Sequence, residues 1–255
     1  QRRLRLHERH RTEPNHREAK PLSAMSASPI AAMFDRISPH YDRLNHLLSL
    51  NIDKAWRRKT VREVSKQNPK LILDLATGTA DLAILLAKNN PQAHIVGMDI
   101  SEKMLAIAKE KTKKENLENQ IELQVGDAAL LPFDDHAFDT VTCAFGVRNF
   151  EDLEQGLSEI YRILKPCGQA VILEFSMPES FPVKQAYRLY FKHILPKIGR
   201  AVSKDAGAYS YLPASVESFP KPNEFLQKLT EHGLSHLEAK KLSCGIAMLY
   251  LASKS

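Results

Sequence analysis

Strand-length apolar runs alternate with helical patterns between residues 71 and 175, and this alternation limits the possible folds more than any other feature. Repeated strand–helix–strand units form a parallel sheet that helices cover on both faces, with right-handed crossovers. Ligands of such sheets bind beyond the carboxyl ends of the strands, so functional residues are expected there. Strands are predicted at residues 71–76, 94–99, 121–127, 138–145 and 169–175.

Helices precede this core and a pair of strands follows it. Helical apolar spacing predicts helices at residues 29–50, with a break at Pro39, and at residues 53–66. The runs at 234–242 and 244–253 predict two strands joined by a short turn, whereas a NAD-type sheet normally continues with strand–helix units. Further helices are predicted at residues 81–89, 101–114, 153–164 and from Pro222 to Gly233, with Ser101 as the N-cap of the second. A turn is predicted at residues 165–168.

The positive charge is concentrated at the N-terminal end of the sequence. The net charge is +6, and residues 1–20 contribute +4 of it, with seven Lys and Arg against three acids. The remainder is nearly balanced, so we expect no nucleic-acid-binding surface across the domain. We predict that residues 1–27 form a disordered basic tail. The sequence leaves open whether this tail is part of the natural chain. The less favoured alternative is a basic arm for nucleic acid or anionic lipid.

Cysteine usage and hydropathy indicate a cytoplasmic protein. Cys143, Cys167 and Cys244 have neither metal-ligand spacing nor the pattern of a disulfide framework, which indicates a reducing compartment and predicts no metal site. The apolar runs are of strand length, well short of the roughly 20 residues that a membrane-spanning helix needs.

The loop after the first strand, LDLATGTAD (73–81), predicts a nucleotide-like ligand that has no pyrophosphate. A dinucleotide fingerprint needs G-x-G-x-x-G so that backbone amides can approach a pyrophosphate. Here Ala76, Gly78 and Ala80 alternate instead, which suits close passage of the backbone past an uncharged part of the ligand. Asp74 at the strand end suits a cationic group, bound directly or through water. S-adenosylmethionine (SAM) has an ammonium and a sulfonium group.

Two further acids stand at the ends of the next strands. Asp99 follows the loop by about 20 residues, the usual place of an acid that binds ribose hydroxyls. Asp127 and Ala128 end the third strand, where an adenine ring would reach, and Asp127 can accept a hydrogen bond from its exocyclic amine. A single such acid is as often a helix cap, but three in succession favour a nucleoside cofactor.

These features together predict the fold class and the cofactor. The fold is α/β, a Rossmann-like class I methyltransferase with a seven-stranded, mostly parallel sheet, a C-terminal antiparallel hairpin and helices on both faces. The cofactor is SAM. An NAD(P) oxidoreductase is disfavoured by the missing pyrophosphate glycines, and a non-catalytic binding protein is disfavoured by the intact loop and acids.

Two longer stretches, YDRLNHLLSLNIDKAW (41–56) and RILKPCGQAVILEFS (162–176), resemble signatures of the quinone-biosynthesis C-methyltransferases. Members of that family convert demethylmenaquinol to menaquinol or methylate 2-methoxy-6-polyprenyl-1,4-benzoquinol. Leu44 stands where the family has Met, Asp53 where it has His, and Cys167 where it has Gly. With counterparts for LDLATGTAD, GMDIS, GDAALLPF and FGVRNF, the resemblance extends to the C-terminus.

The resemblance implies methylation of a ring carbon of a prenylated quinol. Demethylmenaquinol is the first candidate; the benzoquinol, or another small molecule methylated with SAM, is the alternative. The family's cofactor contacts correspond to Thr79, Asp99, Asp127 and Ala128, and Ala144 stands where some members have a contacting Ser.

Candidate catalytic residues follow the fourth strand, at the sheet edge that faces the cofactor. Arg148 is expected to stabilise a phenolate on the quinol or to arrange a water that accepts its proton, with Asn149 beside it. The alternative for Arg148 is a structural ion pair with a loop acid. Weaker candidates are His40, Tyr41 and Asp42 as proton handlers, and Tyr209 and Tyr211 as walls of the quinol pocket.

The domain is predicted to span residues 28–255, with an N-terminal helical lid at 28–68 and a substrate-side insertion at 177–220. Within the insertion, residues 181–202 place aromatic residues at helical spacing between basic ones. Such a stretch can shelter a prenyl chain or touch anionic lipid, or it can pack on the domain with a solvated basic face. Peripheral contact with the inner face of the membrane is therefore one prediction, and the sequence leaves a homodimer open.

Overall fold

The computed structural model describes residues 28–42, 45, 49, 51–190 and 206–255, with only the backbone given for His40 and for residues 206–210. The predicted tail at residues 1–27 and the second half of the amphipathic stretch therefore lie outside the described residues, as does the side chain of Tyr209.

One seven-stranded sheet forms the centre of the domain, in the order β3-β2-β1-β4-β5-β7-β6. Strands β1 to β5 are parallel, and β7 lies antiparallel between β5 and β6. This is the predicted sheet, closing hairpin included. The strands are β1 (Leu71–Leu75), β2 (His94–Asp99), β3 (Ile121–Val125), β4 (Phe138–Ala144), β5 (Leu164–Phe175), β6 (Leu234–Leu242) and β7 (Ala247–Lys254).

Helices cover both faces of the sheet. The described helices are α1 (Pro29–Ile37), α2 (Ile52–Ser65), α3 (Asp81–Asn89), α4 (Glu102–Lys114), α5 (Leu153–Ile163), α6 (Val183–Leu189), α7 (Ala206–Ser218) and α8 (Pro222–Glu231). A short 3-10 turn at Ser38–His40 follows α1, at the predicted break. The predicted cap is confirmed, because the Ser101 hydroxyl accepts a hydrogen bond from the Met104 amide at 3.1 Å.

Two apolar layers hold the sheet between the helices. On one face α5 and α8 contribute buried side chains such as Leu157, Ile160 and Phe225. On the other face α2 and α3 contribute residues such as Trp56 and Leu86. Burial on both faces explains why the parallel strands read as continuous apolar runs, and it fixes the positions of the strand ends.

One local prediction is wrong, and one helix was not predicted. Residues 165–168 form no separate turn: β5 begins at Leu164 and runs through them, with an irregular register against β4 and a left-handed Cys167. Helix α7 had no prediction, because its sequence contains Pro213 and has no clear apolar period. Its side chains instead contact the loop after β4.

Within the described part of the chain, no helix combines the length and apolar character needed to cross a bilayer.

Candidate active site

The carboxyl ends of the central strands open into one cleft. Strand β1 has β2 on one side and β4 on the other, so the strand order reverses direction at β1. The cleft lies at this topological switch point. Strand-end loops form its floor. Ile30 and Phe34 of α1, with Tyr41, form its roof. The predicted location of the site is therefore the place where the cleft lies.

The loop after β1 alternates between ordinary and left-handed backbone. Ala76, Gly78 and Ala80 have φ values of 53°, 58° and 66°. The Thr77 amide lies between the first two and donates to the Met98 carbonyl at 2.9 Å, which ties the loop to β2. Gly78 adopts left-handed backbone without strain, whereas the Cβ atoms of Ala76 and Ala80 make it less favourable there. This zigzag brings main chain to the cleft wall, which is the close approach that the alternating small residues predict.

Asp74 supports this loop from below. Its carboxylate is 1% exposed and accepts hydrogen bonds from the Thr77 and Thr142 hydroxyls, both at 2.7 Å. Burial raises its pKa to about 6, although the two hydroxyls oppose the rise. The structure thus places Asp74 against the loop and in the wall of a smaller cavity behind it. Its contact with a cationic ligand stays a prediction.

Asp99 ends β2 at the cleft wall. One carboxylate oxygen accepts from the Gly78 amide at 2.8 Å and the other from the Ser101 amide at 2.9 Å. Burial raises the pKa of Asp99 to about 6, while these backbone donors oppose the rise and nearby Asp35 adds to it. A carboxylate fixed by two amides and facing a cleft suits the predicted ribose contact.

Asp127 and Ala128 also line the cleft, after β3. Asp127 accepts a hydrogen bond from the Ala129 amide at 2.9 Å, which shapes the turn that follows. The loop beyond is held from α5 by an ion pair of Arg162 with Glu159, with N–O distances of 2.7 Å.

This ion pair acts as a clamp on the loop. Arg162 donates to the carbonyls of Leu131 and Phe133 at 3.0 and 2.6 Å, and Glu159 accepts from the Leu131 amide at 2.8 Å. The clamp gives a physical reason for the Arg that opens the second signature.

Thr79 lies in the wall of the smaller cavity. Its hydroxyl donates to Asp42 at 2.5 Å and accepts from the Lys111 ammonium at 3.1 Å. Thr79 therefore joins the cofactor loop to the segment that follows α1. Its contact with a cofactor stays a prediction.

The structure brings Asn149 to the cleft wall and places Arg148 behind it. Asn149 accepts a hydrogen bond through Oδ1 from the Tyr211 hydroxyl at 2.9 Å. The Arg148 guanidinium pairs with Glu174 at 2.8 Å, with side-chain exposures of 6% and 0%. It also donates to the Phe145 carbonyl and to the Ser215 hydroxyl. The acid that pairs with Arg148 thus lies on strand β5 and not on a loop.

The charge of Arg148 acts on phenol groups around the cleft. Burial raises the pKa of Tyr41, Tyr187 and Tyr211. The Arg148 charge opposes that rise at each of them, while the Glu174 charge adds to it at Tyr187 and Tyr211. A phenol of a bound ligand in the same region would feel the same stabilisation of its ionised form.

The polar groups of the cleft distinguish between possible cofactors. Asp99, Asp127 and Glu151 line it, and among the described residues no Lys or Arg does. Three carboxylates would repel a pyrophosphate, whereas they suit ribose hydroxyls, an adenine amine and a cationic sulfonium. The residues therefore fit SAM and do not fit a dinucleotide. No group of three potential metal ligands occurs in the part that the structure describes.

Residues 22–254 match the ubiE/COQ5 methyltransferase family. The chain belongs to this family. Membership confirms the predicted methyltransferase class (EC 2.1.1), the class I fold and SAM as the cofactor.

Known members of the ubiE/COQ5 methyltransferase family are similar to this chain over nearly their whole length. Demethylmenaquinone methyltransferase of Bacteroides fragilis is 44% identical, over 92% of this chain and 97% of the relative. Ubiquinone/menaquinone biosynthesis C-methyltransferase UbiE of Geotalea daltonii is 42% identical, over 88% and 96%. A solved SAM-dependent methyltransferase from Thermotoga maritima superposes with a TM-score of 0.63 at 18% identity, over 89% of this chain and all of that one, and supports the fold.

Sequence reasoning missed two groups of residues at this methyltransferase site. Glu174 and Ser215 hold Arg148 from β5 and α7, and no local pattern links them to it. Arg57 lines the smaller cavity from α2. A signal for Arg57 existed, since it shares the buried helical face of Trp56 and Val64, where a charged residue is unusual.

Cofactor affinity is expected to depend on pH through Asp74 and Asp99. An ammonium near Asp74 and ribose hydroxyls at Asp99 favour ionised carboxylates, whose pKa in the free protein is about 6. Lowering the pH from 7.5 to 5.5 should weaken binding of S-adenosylhomocysteine about tenfold, measured by calorimetry. Equal dissociation constants at the two pH values would contradict both contacts.

The stability of the free protein should respond in the opposite direction. Both acids have a folded pKa above the ordinary value of 3.8, so the folded state takes up protons before the unfolded chain does. The cost of burying the two charges applies fully above pH 6 and is relieved as the pH falls from about 6 toward 4. Weaker binding at pH 5.5 would therefore not result from loss of stability at these acids.

Proposed function

We propose that this protein transfers the methyl group of SAM to a ring carbon of demethylmenaquinol, forming menaquinol. One observation carries the choice of substrate: the 44% identity to a demethylmenaquinone methyltransferase over 97% of that relative. The fold alone would not support it, because one fold hosts many activities. The apolar cleft walls, which include Ile30, Phe34 and Phe150, suit an aromatic ring.

Methylation of 2-methoxy-6-polyprenyl-1,4-benzoquinol is the second candidate. The relative from Geotalea daltonii is named for both ubiquinone and menaquinone biosynthesis at 42% identity, close to the value for the first relative. One substrate is a naphthoquinol and the other a benzoquinol, but both are prenylated 1,4-quinols methylated at a ring carbon, so the same site residues would serve both.

When bound, SAM supplies a methyl group on an electrophilic sulfonium. The chain's own residues orient the quinol and stabilise charge on it. Arg148 supplies a fixed positive charge that favours loss of the ring hydroxyl proton to water and so makes the neighbouring carbon nucleophilic. After that carbon takes the methyl group and the S–CH3 bond breaks, the proton on the same carbon leaves to water and the ring becomes aromatic again. The Oδ1 of Asn149 is engaged by Tyr211 and one N–H of its amide donates to the Phe145 carbonyl at 3.3 Å, so its second N–H is the donor proposed for the ring oxygen.

The N-terminal segment at 28–68 is proposed to act as a lid that excludes water. Three polar contacts hold its first part over the cleft. Ser28 donates to Glu151 at 2.5 Å, Asp35 accepts from Ser101 at 2.6 Å, and Asp42 pairs with Lys111 at 2.9 Å. Excluding water strengthens every electrostatic interaction with the ring oxygen.

The insertion at 177–220 is proposed to receive the prenyl chain at the inner face of the membrane. Phe181, two residues before α6, is 80% exposed, and Leu189 at the end of α6 is 59% exposed; α6 also carries Lys184 and Arg188. Tyr187, which was predicted on the apolar side of this stretch, packs inward against Leu212 and Met177. Exposed apolar groups beside basic ones suit anionic lipid. A cytoplasmic, peripheral location would follow, and the homodimer stays a prediction.

Replacing Phe181 and Leu189 by Ser is expected to lower activity severalfold on long-prenyl quinols in vesicles and to leave activity on a short-chain quinol unchanged. The reason is that only a long chain needs an apolar path from the bilayer. Ile52→Ser is the matched control, since Ile52 is also exposed (40%) but lies on α2. Equal losses on the long and the short substrate would contradict this role.

The proposed function is tested by the quinones of cells that lack the gene. Extracted lipids should contain demethylmenaquinone in place of menaquinone, and the gene on a plasmid should restore menaquinone. Loss of a ring methyl from ubiquinone alone would replace the first candidate by the second. An unchanged quinone profile would overturn both.

A further inference from the structure

Helix α2 presents a basic face to solvent. Six of its 14 residues are exposed, of which four are basic and none is acidic. Lys54, Arg58 and Arg62 follow one another at intervals of four residues and so form one stripe along the helix, with Lys59 beside it. The net charge of the chain is +6, of which residues 1–20 contribute +4. The basic face of α2 is therefore a local excess of charge on a nearly balanced domain.

The acids nearest in sequence do not neutralise this face. Asp53 is buried and pairs with Arg57. Glu63 pairs with Lys66 at 2.6 Å and with Lys240 at 3.0 Å. Within the described part of the chain, no acid forms an ion pair with any of the four cations of the face. An anionic partner can therefore approach them without displacing an existing ion pair.

A groove between α2 and α3 lies at the start of the stripe. Lys54 and Arg58 line it beside apolar residues of α3. The two acids that line the groove, Asp81 and Glu115, already pair with lysines, at 2.5 and 2.7 Å. A phosphate group can therefore enter the groove next to two cations without meeting an uncompensated carboxylate.

Helix α2 begins at the end of the sheet that carries the cleft. The Trp56 ring packs edge-on against Phe175, the last residue of β5, with ring centroids 6.1 Å apart. Further along α2, the Val64 carbonyl accepts a hydrogen bond at 3.5 Å from Gln169, which lies earlier in the same strand. The first two residues of the stripe, which flank Trp56 in the sequence, therefore lie nearest the cleft.

The turn between β6 and β7 joins this part of α2 to the insertion at 177–220. The Trp56 indole N–H donates to the Ser243 hydroxyl at 3.0 Å. The Ser176 amide, just before the insertion, donates to the Ile246 carbonyl at 2.9 Å. The start of α2 and the start of the insertion thus flank one turn, and a flat surface that approaches this end of the domain can meet both.

We propose that the basic face of α2 (Lys54, Arg58, Lys59 and Arg62) docks on the anionic phospholipid headgroups of a bilayer. The inference deepens the proposed function and rests on its prenylated substrate, which a bilayer holds. That substrate favours a bilayer over nucleic acid, the other polyanion that such a face attracts. The contact is electrostatic. Ile52, two residues before Lys54 and hence on the opposite side of the helix, takes no part in it.

Sedimentation with vesicles measures this contact. The wild-type protein should bind vesicles of equimolar phosphatidylglycerol and phosphatidylcholine, should bind pure phosphatidylcholine at least about tenfold more weakly, and should be released by high salt. Lys54→Gln with Arg58→Gln should weaken binding to the mixed vesicles about 10- to 30-fold, because each basic residue near such a surface strengthens binding about fivefold. Both proteins keep the basic residues at 1–20, so the difference between them reports on α2.

Lys109→Gln with Lys113→Gln is the matched control. Both lysines are exposed on α4 and lie in its second half, away from the carboxyl ends of the strands. This variant loses the same charge and should change vesicle binding less than about threefold. Both variants should keep the wild-type melting temperature and affinity for S-adenosylhomocysteine, so that unfolding does not explain a loss of binding.

Three results would overturn the proposal: no binding of the wild-type protein to the mixed vesicles, equal losses in the two variants, or a loss in the α2 variant that affects a single-stranded oligonucleotide and spares the vesicles. The last result would assign the face to nucleic acid. These measurements use no quinol. Failure of the proposed substrate would therefore appear separately, as protein that binds vesicles through α2 but methylates no quinol.

Discussion

Arg148→Met is expected to lower kcat about 100- to 1,000-fold, with little change in the dissociation constant of S-adenosylhomocysteine. The buried guanidinium opposes the rise in pKa of three surrounding tyrosines, although its partner Glu174 adds to that rise at two of them. Its neighbour Asn149 lines the cleft, so the ionising ring hydroxyl is proposed to lie near this charge. Methionine keeps much of the volume and removes the charge. Single-turnover rates with a reduced quinol measure the effect of the substitution on methyl transfer, because product release does not contribute to them.

The control for Arg148 must separate loss of charge from loss of stability. Glu174 is fully buried, and removing its cation alone is expected to destabilise the fold by roughly 3 kcal/mol or more. Arg148→Met combined with Glu174→Gln should restore thermal stability without restoring kcat. A double variant with nearly wild-type kcat would show that Arg148 is structural.

Asp99→Ala is expected to raise the dissociation constant of S-adenosylhomocysteine about 100-fold. Asp99 fixes the Gly78 amide at 2.8 Å and faces the cleft where ribose is predicted, so the variant loses charge-assisted hydrogen bonds on both sides. Since the contact is to ribose, 5′-methylthioadenosine should weaken by a similar factor.

Asp139→Ala is the matched control for Asp99. Asp139 also accepts two backbone amides, from Lys70 and Leu71, each at 2.8 Å, but it lies at the start of β4, far from the carboxyl ends. Its loss should lower stability and leave cofactor affinity unchanged. A change of less than threefold for Asp99→Ala, or an equal change for both variants, would contradict the ribose contact.

The central sheet could be predicted because its inner parallel strands, such as β1 and β2, are buried on both faces. Burial on both faces requires continuous apolar runs. Ile72 and Leu73, for example, are apolar in the sequence and buried in the strand. The cofactor loop was predictable for a similar local reason. Main chain at Ala76 and Gly78 lines the cleft, a close approach that small side chains allow, and the spacing of Ala76, Gly78 and Ala80 is visible in the sequence.

The contacts around the catalytic candidates could not be predicted, because they join distant parts of the chain. Arg148 meets Glu174 and Ser215, which lie 26 and 67 residues away. Asp74 likewise meets Thr142 from 68 residues away, so the sequence could place this acid at a strand end but not show that hydroxyls engage it. Helix α7 depends on the same long-range contacts, which override the weak propensity around Pro213.

Methyl transfer by the purified protein tests the central claim most directly. The protein is incubated with SAM that carries a deuterated methyl group and with reduced demethylmenaquinone, and the quinones are analysed by mass spectrometry. The account predicts menaquinone with the labelled methyl on its ring, formed in equal amount to S-adenosylhomocysteine. Absence of label from the naphthoquinone ring, in protein that still binds S-adenosylhomocysteine, would contradict it.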